Sequence, residues 1–262
     1  EGQVAISIPT ENNEMVVHSS TQNPTEVQHL VAHVLDVPQN AIEVVTRRMG
    51  GGFGGKETDS SQLACICAIF SKRTLRPVKA RLSRKDDILL TGKRHDFVAK
   101  YEVGYNDEGI IQGIEIDLAA RCGYSLDLSK AIVSRALFHA DNTYFIPNAT
   151  FKGFLCKTNT ASNTAFRGFG GPQGMLTIEN IIEEIANNMG TDPLNIRKIN
   201  YYQKGSNNVT PYDQVIEDNI IEEITNELIE DSNYLSRRKE IDLFNKKNQF
   251  LKKGLSFSPV KF

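Results

Sequence analysis

The chain has 262 residues, 40% of them hydrophobic and 24% charged, which is enough apolar material for a real core. Lys plus Arg total 30 against 32 Asp plus Glu, so no bulk charge invites nucleic acid or a membrane surface. No apolar run approaches the roughly 20 residues of a membrane span, and EGQVAISIPTEN lacks the basic and apolar regions of a signal peptide, so a cytoplasmic chain is expected.

In chain order, AISIP and MVVHSST read as strands. Asn23 caps a helix with Pro24 at its first position, running to about Asp36. EVVT is a strand leading into RRMGGGFGGKE, and TDSSQLACICAIFSKR is helical. VKARL is a short strand, and SRKDDILLTG opens with a serine cap. DFVAKYEVGY and IIQGIEIDLAA form a hairpin through the turn NDEG. LDLSKAIVSRALFHA is helical, YFIPNATFKGFLCKTN extended, and MLTIENIIEEIANNMG an amphipathic helix stopped by Gly190. GSNNVTP reads as a linker near 205, followed from 216 by charged helices, acidic first and basic later. GLSFSPVKF reads as an opening strand, and EGQVAISIP as a start in mid-strand. Hairpins beside helical crossovers predict an α+β fold.

Four cysteines, Cys65, Cys67, Cys122 and Cys156, are too few and too scattered for a disulfide framework. His29 and His33 stand four apart on a helix, but without a third ligand nearby they read as ordinary helix histidines. The chemistry lies in the glycines. Gly50, Gly52 and Gly55 fit G-x-G-x-x-G, and Gly50 to Lys56 fit the start of a P-loop. A P-loop needs a hydroxyl after its lysine, and here Glu57 would repel phosphate. A dinucleotide turn needs an acid roughly 20 residues on, where Arg73, Arg76 and Lys79 stand instead. What remains is a loop whose backbone can approach an acceptor-rich ligand closely. Phe53 inside it either anchors in the core or faces that ligand. A second G-F-G-G, at 168 to 171 in SNTAFRGFGGPQGM, predicts two walls of one site.

GGGFGGKE, GYSLDLSKAIVSRALFHADNTYFIPN and SNTAFRGFGGPQGM together resemble the molybdenum-binding part of the xanthine dehydrogenase and xanthine oxidase family, with the split-subunit bacterial enzymes the best match in tone. The resemblance implies a molybdopterin-binding domain over 1–205 and a helical connection over 206–262 leading toward a second such domain. It implies a molybdopterin, plain or as its cytosine dinucleotide, with 2Fe-2S and FAD carried on partner segments or subunits. By the same resemblance the cofactor is held by Gln22, whose amide meets a molybdenum oxygen, and by the loop positions Gly52, Phe53, Gly54, Ala165, Phe166 and Arg167. Glu57 and Arg135 match residues that orient a purine and stabilise charge on its oxygen, and Phe169 matches an aromatic that stacks on the ring. The implied reaction is hydroxylation of hypoxanthine or xanthine with oxygen from water. The family's general-base glutamate falls beyond Phe262, so this segment by itself is expected not to turn over. Three other readings stay open: an aldehyde oxidase relative, a P-loop-like nucleotide binder, and an assembly module acting through the helices after 216.

Overall fold

The computed structural model describes residues 2–262. Among the described residues, seven strands and eight α-helices divide between two units, the first comprising the residues up to Val98 with Ala119–Ser134 and Phe154–Gly170, the second Ala99–Leu118, Arg135–Gly153 and Gly171–Phe262. Among the described residues no helix is long and apolar enough to cross a membrane.

The first unit is built on a sheet of order β3-β2-β1-β4, from β1 (Val4–Pro9), β2 (Met15–Ser19), β3 (Ile42–Val45) and β4 (Val78–Arg81). Period-two alternation sends Ala5, Met15, Val17 and Ile42 into a core shared with α1 (Pro24–Leu35) and α2 (Asp59–Thr74). Asn23 caps α1 as expected, its Oδ1 accepting from the Glu26 N–H at 3.2 Å, and Pro24 fills the first position, where a missing N–H costs nothing. A parallel pair needs a crossover, and α1 supplies it between β2 and β3, which pair with Met15 opposite Ile42 and His18 opposite Val45. Because these strands run parallel and in register, their C-terminal ends lie side by side. The turn carrying Gln22 and the first glycine loop therefore leave the same edge of the sheet, where ligands bind in such folds.

The expected helix α3 (Arg84–Leu90) follows, capped by Ser83, whose Oγ accepts from the Asp86 N–H at 3.2 Å. The hairpin is present as β5 (Phe97–Tyr105) and β6 (Ile111–Gly123), and β6 is the middle strand of a sheet with β7 (Ala149–Lys157).

In the second unit, α4 (Ser129–Phe138) contributes its C-terminal turn beside α5 (Gly171–Met189), and α6 (Pro193–Asn200), α7 (Ile221–Asp231) and α8 (Tyr234–Lys247) follow. The apolar face of α5 buries Ile178, Ile181, Ile182 and Ile185 at the i, i+3, i+4, i+7 spacing. Arg197 of α6 is 2% exposed and pairs with Glu179 and Glu183 of α5, each at 2.8 Å, while the Tyr144 hydroxyl donates to Glu179. A buried guanidinium is tolerable only when its donors are matched in this way.

Three expectations need correction. The helix expected from Met175 begins at Gly171, the last residue of the second G-F-G-G, because Pro172 is tolerated in a first turn, where its missing N–H has no helical partner to lose. α6 was not foreseen, although Asp192 caps it by accepting from the Leu194 N–H at 2.9 Å and Pro193 opens it. GLSFSPVKF is not a strand; the Asn142 Nδ2 donates to the Pro259 carbonyl, and the Asn142 Oδ1 accepts from the Lys261 N–H, so a side chain takes the place of a ladder.

Gly174 in α5 sits where a Cβ would stand 2.1 Å from the Ala136 carbonyl oxygen, a backbone atom that cannot yield cheaply. Gly174→Val should destabilise the protein by about 2–3 kcal/mol in urea unfolding, whereas Gly104→Ala, where a Cβ meets nothing within 4 Å, should leave the midpoint nearly unchanged.

Candidate functional site

The site begins with a lysine turned inward. Lys56 is 2% exposed, and its Nζ donates to the Ser20 Oγ at 2.8 Å and to the Met49 carbonyl at 2.9 Å. The P-loop reading fails on this geometry, since the lysine that would grip phosphate closes the base of its own loop. Around it, the Lys56 carbonyl accepts from the Gln22 N–H at 2.8 Å and from the Thr21 hydroxyl at 3.2 Å, and the Gln3 Nε2 donates to the Gly55 carbonyl at 2.7 Å. The loop is thereby fastened to the turn after β2.

Gln22 is the joint of this arrangement. Its Oε1 accepts from the Gly54 N–H at 2.8 Å and the Lys56 N–H at 3.3 Å. With the oxygen end committed to two amides, the Nε2 end of the side chain is a donor only. A Cβ on Gly52 would come within 2.3 Å of that Oε1, so only glycine lets the loop lie this close. Gly54, at φ +95°, has the same constraint on its other side, where a Cβ would stand 2.8 Å from the Ala165 carbonyl group. The second loop meets the first there, and the Arg167 N–H donates to the Phe53 carbonyl at 2.8 Å.

The Phe-Gly step of the repeated tetrapeptide is repeated in conformation as well. Phe53 and Phe169 are both left-handed, at φ 52° and 49°, and the glycines after them, Gly54 and Gly170, have φ 95° and 101°. A left-handed phenylalanine costs roughly 1–2 kcal/mol, and that strain recurs in both loops. Phe53 is 61% exposed, which removes the core-anchor reading; Phe169 is half-buried. Gln22, Gly52, Phe53, Gly54, Glu57, Ala165, Phe166, Arg167 and Phe169 all lie in the first unit, with Glu57 between the loop and α2.

Arg135 belongs to the second unit. Its guanidinium lies 4.9 Å from the centre of the Phe262 ring, and its Nε is buried without a partner. Among the described residues it enters no salt bridge, so its charge is not spent on a protein carboxylate. His139, one turn on, stacks on the same ring, and burial, followed by the Arg135 charge, pushes its pKa down. His29 and His33 are both exposed, and no cluster of three or more metal-ligating side chains stands among the described residues.

Sequence reasoning passed over Asp59, two residues after Glu57. It opens α2, is 9% exposed, and its Oδ2 accepts from the Gly92 N–H at 2.9 Å. Burial raises its pKa to about 6, with Asp127 and Asp87 adding to the rise and the Gly92 N–H and Lys93 opposing it. The only signal in the sequence was an acid in the first turn of a helix, which reads as dipole complementation.

Two outcomes follow from this geometry. Gly52→Ala should leave the melting temperature within about 2 °C, because the Gln22 side chain can swing away, but should release the Gln22 amide and with it most ligand affinity, read by calorimetry. Asp59 contributes stability that is present below its free value of 3.8 and lost as pH rises through about 6, on the order of 3 kcal/mol at most. Asp59→Asn should flatten the fall in unfolding free energy across that window.

Comparison with known proteins identifies the family. The molybdopterin cofactor-binding domain family matches residues 1–201. A xanthine dehydrogenase of Dictyostelium discoideum is 45% identical over 255 residues, 97% of this chain and 19% of that protein. A nicotinate hydroxylase of Emericella nidulans, hnxS, is 43% identical over 264 residues, covering 100% of this chain and 19% of its own length. The chain thus spans about a fifth of the curated relatives it matches. In fold, an aldehyde oxidoreductase from Desulfovibrio gigas superposes with a TM-score of 0.80 over 95% of this chain and 27% of that one, at 24% identity. The chain belongs to the molybdopterin cofactor-binding domain family, as the molybdenum-binding region of the xanthine dehydrogenase and oxidase type.

Proposed function

We propose that this chain holds the molybdenum cofactor of a purine hydroxylase that oxidises hypoxanthine and xanthine to urate with oxygen from water. The observation that carries this reading is the fixed Gln22 amide. Its oxygen is committed to the first glycine loop, so it can only donate to what sits above that loop. A flat, acceptor-rich pterin with oxygen-bearing molybdenum fits a cradle of glycine backbone in which a Cβ at Gly52 or Gly54 would fill the space. Gln22, Gly52, Phe53, Gly54, Ala165, Phe166 and Arg167 would hold it. When bound, the cofactor supplies the two-electron oxidation of a ring carbon.

The protein's own part is orientation and charge. Glu57 accepts from a ring N–H and fixes which carbon is presented. Arg135, unpaired by any protein carboxylate, stabilises negative charge developing on the purine oxygen. Phe169 offers a ring face to the heterocycle. Identity alone does not choose the substrate, because the nicotinate hydroxylase is 43% identical where a fly xanthine dehydrogenase is 41%. Glu57 and Arg135 together favour a purine carrying both a donor and an oxygen.

The match over 1–201 supports a first molybdopterin-binding domain at 1–205, with 206–262 leading toward a second. The 2Fe-2S clusters, the FAD and the remaining molybdenum domain belong to other segments or subunits, and the general base with them. The four free thiols suit a reducing cytoplasm.

In the full-length protein, molybdenum and oxidised-pterin fluorescence should each approach one per chain, with turnover on xanthine. Glu57→Ala and Arg135→Ala should each lower kcat/KM for xanthine by about 100-fold or more, with molybdenum content unchanged. Better turnover of nicotinate or benzaldehyde, unaffected by either substitution, would assign the enzyme to another branch of the family.

A further inference from the structure

One side chain outside the predicted set grips the second glycine loop. Arg94 is half-buried, and its Nη2 donates to the Arg167 carbonyl at 2.6 Å while its guanidinium lies 4.6 Å from the centre of the Phe166 ring. The segment that carries it is itself braced. The Gly92 N–H donates to Asp59 at 2.9 Å, the Lys93 carbonyl accepts from the Thr164 N–H at 3.1 Å, and the His95 Nε2 and Ser129 Oγ share a hydrogen bond of 2.7 Å. Gly92 has no room for a side chain, since a Cβ would lie 2.4 Å from the Ser162 carbonyl oxygen.

The consequence falls on Arg167. Its N–H is bound to Phe53 of the first loop and its carbonyl to Arg94, so the residue is pinned on both sides. A trans peptide is planar, and fixing the Arg167 carbonyl fixes the opposed direction of the Gly168 N–H. Immediately beyond stand Gly168 at φ 94°, a value glycine accepts without enforcing, and Phe169 at φ 49°, a value phenylalanine disfavours, so neither sets this orientation by its own preference.

We propose that Arg94 is a positioning residue for the cofactor cradle: by holding the Arg167 carbonyl and the Phe166 ring, it sets the orientation of the Arg167–Gly168 peptide and thus of the second wall. This rests on the molybdenum-cofactor reading above. Arg94 acts through Phe166 and Arg167, and its planar fork allows one contact by stacking and the other by hydrogen bond, which a point charge matches only in part.

The test uses the full-length, cofactor-loaded enzyme with Arg94→Gln and Arg94→Lys. Four quantities are read: molybdenum and pterin per chain after gel filtration, the line shape of the Mo(V) paramagnetic resonance signal, the melting temperature of cofactor-stripped protein, and kcat/KM on xanthine. Arg94→Gln should lower cofactor retention by about tenfold and alter the Mo(V) signal of what remains, with the stripped protein melting as the wild type does. Arg94→Lys, which keeps a donor and a cation, should recover part of both. Phe166→Leu, which removes the stacked ring and keeps the hydrogen bond, should fall between them. Retention and Mo(V) signal equal to wild type in Arg94→Gln would overturn the inference, as would a loss matched by an equal fall in the melting temperature of stripped protein. A wild-type enzyme devoid of molybdenum would instead fail at the step before, taking this inference with the cofactor reading.

Discussion

The structure turns on one close approach, that of the Gln22 carboxamide to the backbone of the first glycine loop. Two amide hydrogens converge on the Gln22 oxygen, at 2.8 and 3.3 Å, and no side chain can stand at Gly52 without displacing it. Much of the first unit serves that contact. The parallel pairing of β2 with β3 brings the two segments to one edge, the capped α1 makes the crossover, and buried Lys56 fastens the loop's base to Ser20 and Met49. A charge 2% exposed is costly, and its retention here is consistent with a geometric role.

From that contact the electrostatic character of the site follows. The first loop presents N–H groups and the Gln22 Nε2, and the second loop is tied to it through Arg167 and Phe53 and braced by the Arg94 cation. In the second unit, taken by itself, Arg135 keeps its charge on an aromatic ring instead of a carboxylate. In the first unit Glu57 is the acid placed beside the first loop. Burial raises the pKa of the neighbouring acid Asp59 to about 6, so it is largely neutral below that pH and ionised above it.

Much of this was legible in the sequence because it is local. Asn23-Pro24 announces α1, Ser83 announces α3, and the repeated G-F-G-G singles out two loops that share a left-handed Phe-Gly step. Asp192-Pro193 is the same kind of signal for α6, standing just after Gly190 closes α5. The terminal SFSPVKF alternates like a strand, but Pro259 has no N–H for a ladder, and Asn142 binds the backbone there instead. The roles of Lys56 and Arg94 were not legible. Lys56 fits a phosphate motif while its side chain turns inward, and Arg94 is a lone arginine whose partners stand 72 and 73 residues away, at Phe166 and Arg167.

The most direct test of the central claim is an atomic structure of the full-length enzyme with its cofactor bound. The account predicts Gln22 with Oε1 still on the Gly54 and Lys56 amides and Nε2 donating, at about 3 Å, to an oxygen of the molybdenum centre above the two glycine loops. A cofactor seated elsewhere, or a Gln22 amide turned so that its oxygen faces the ligand, would contradict it.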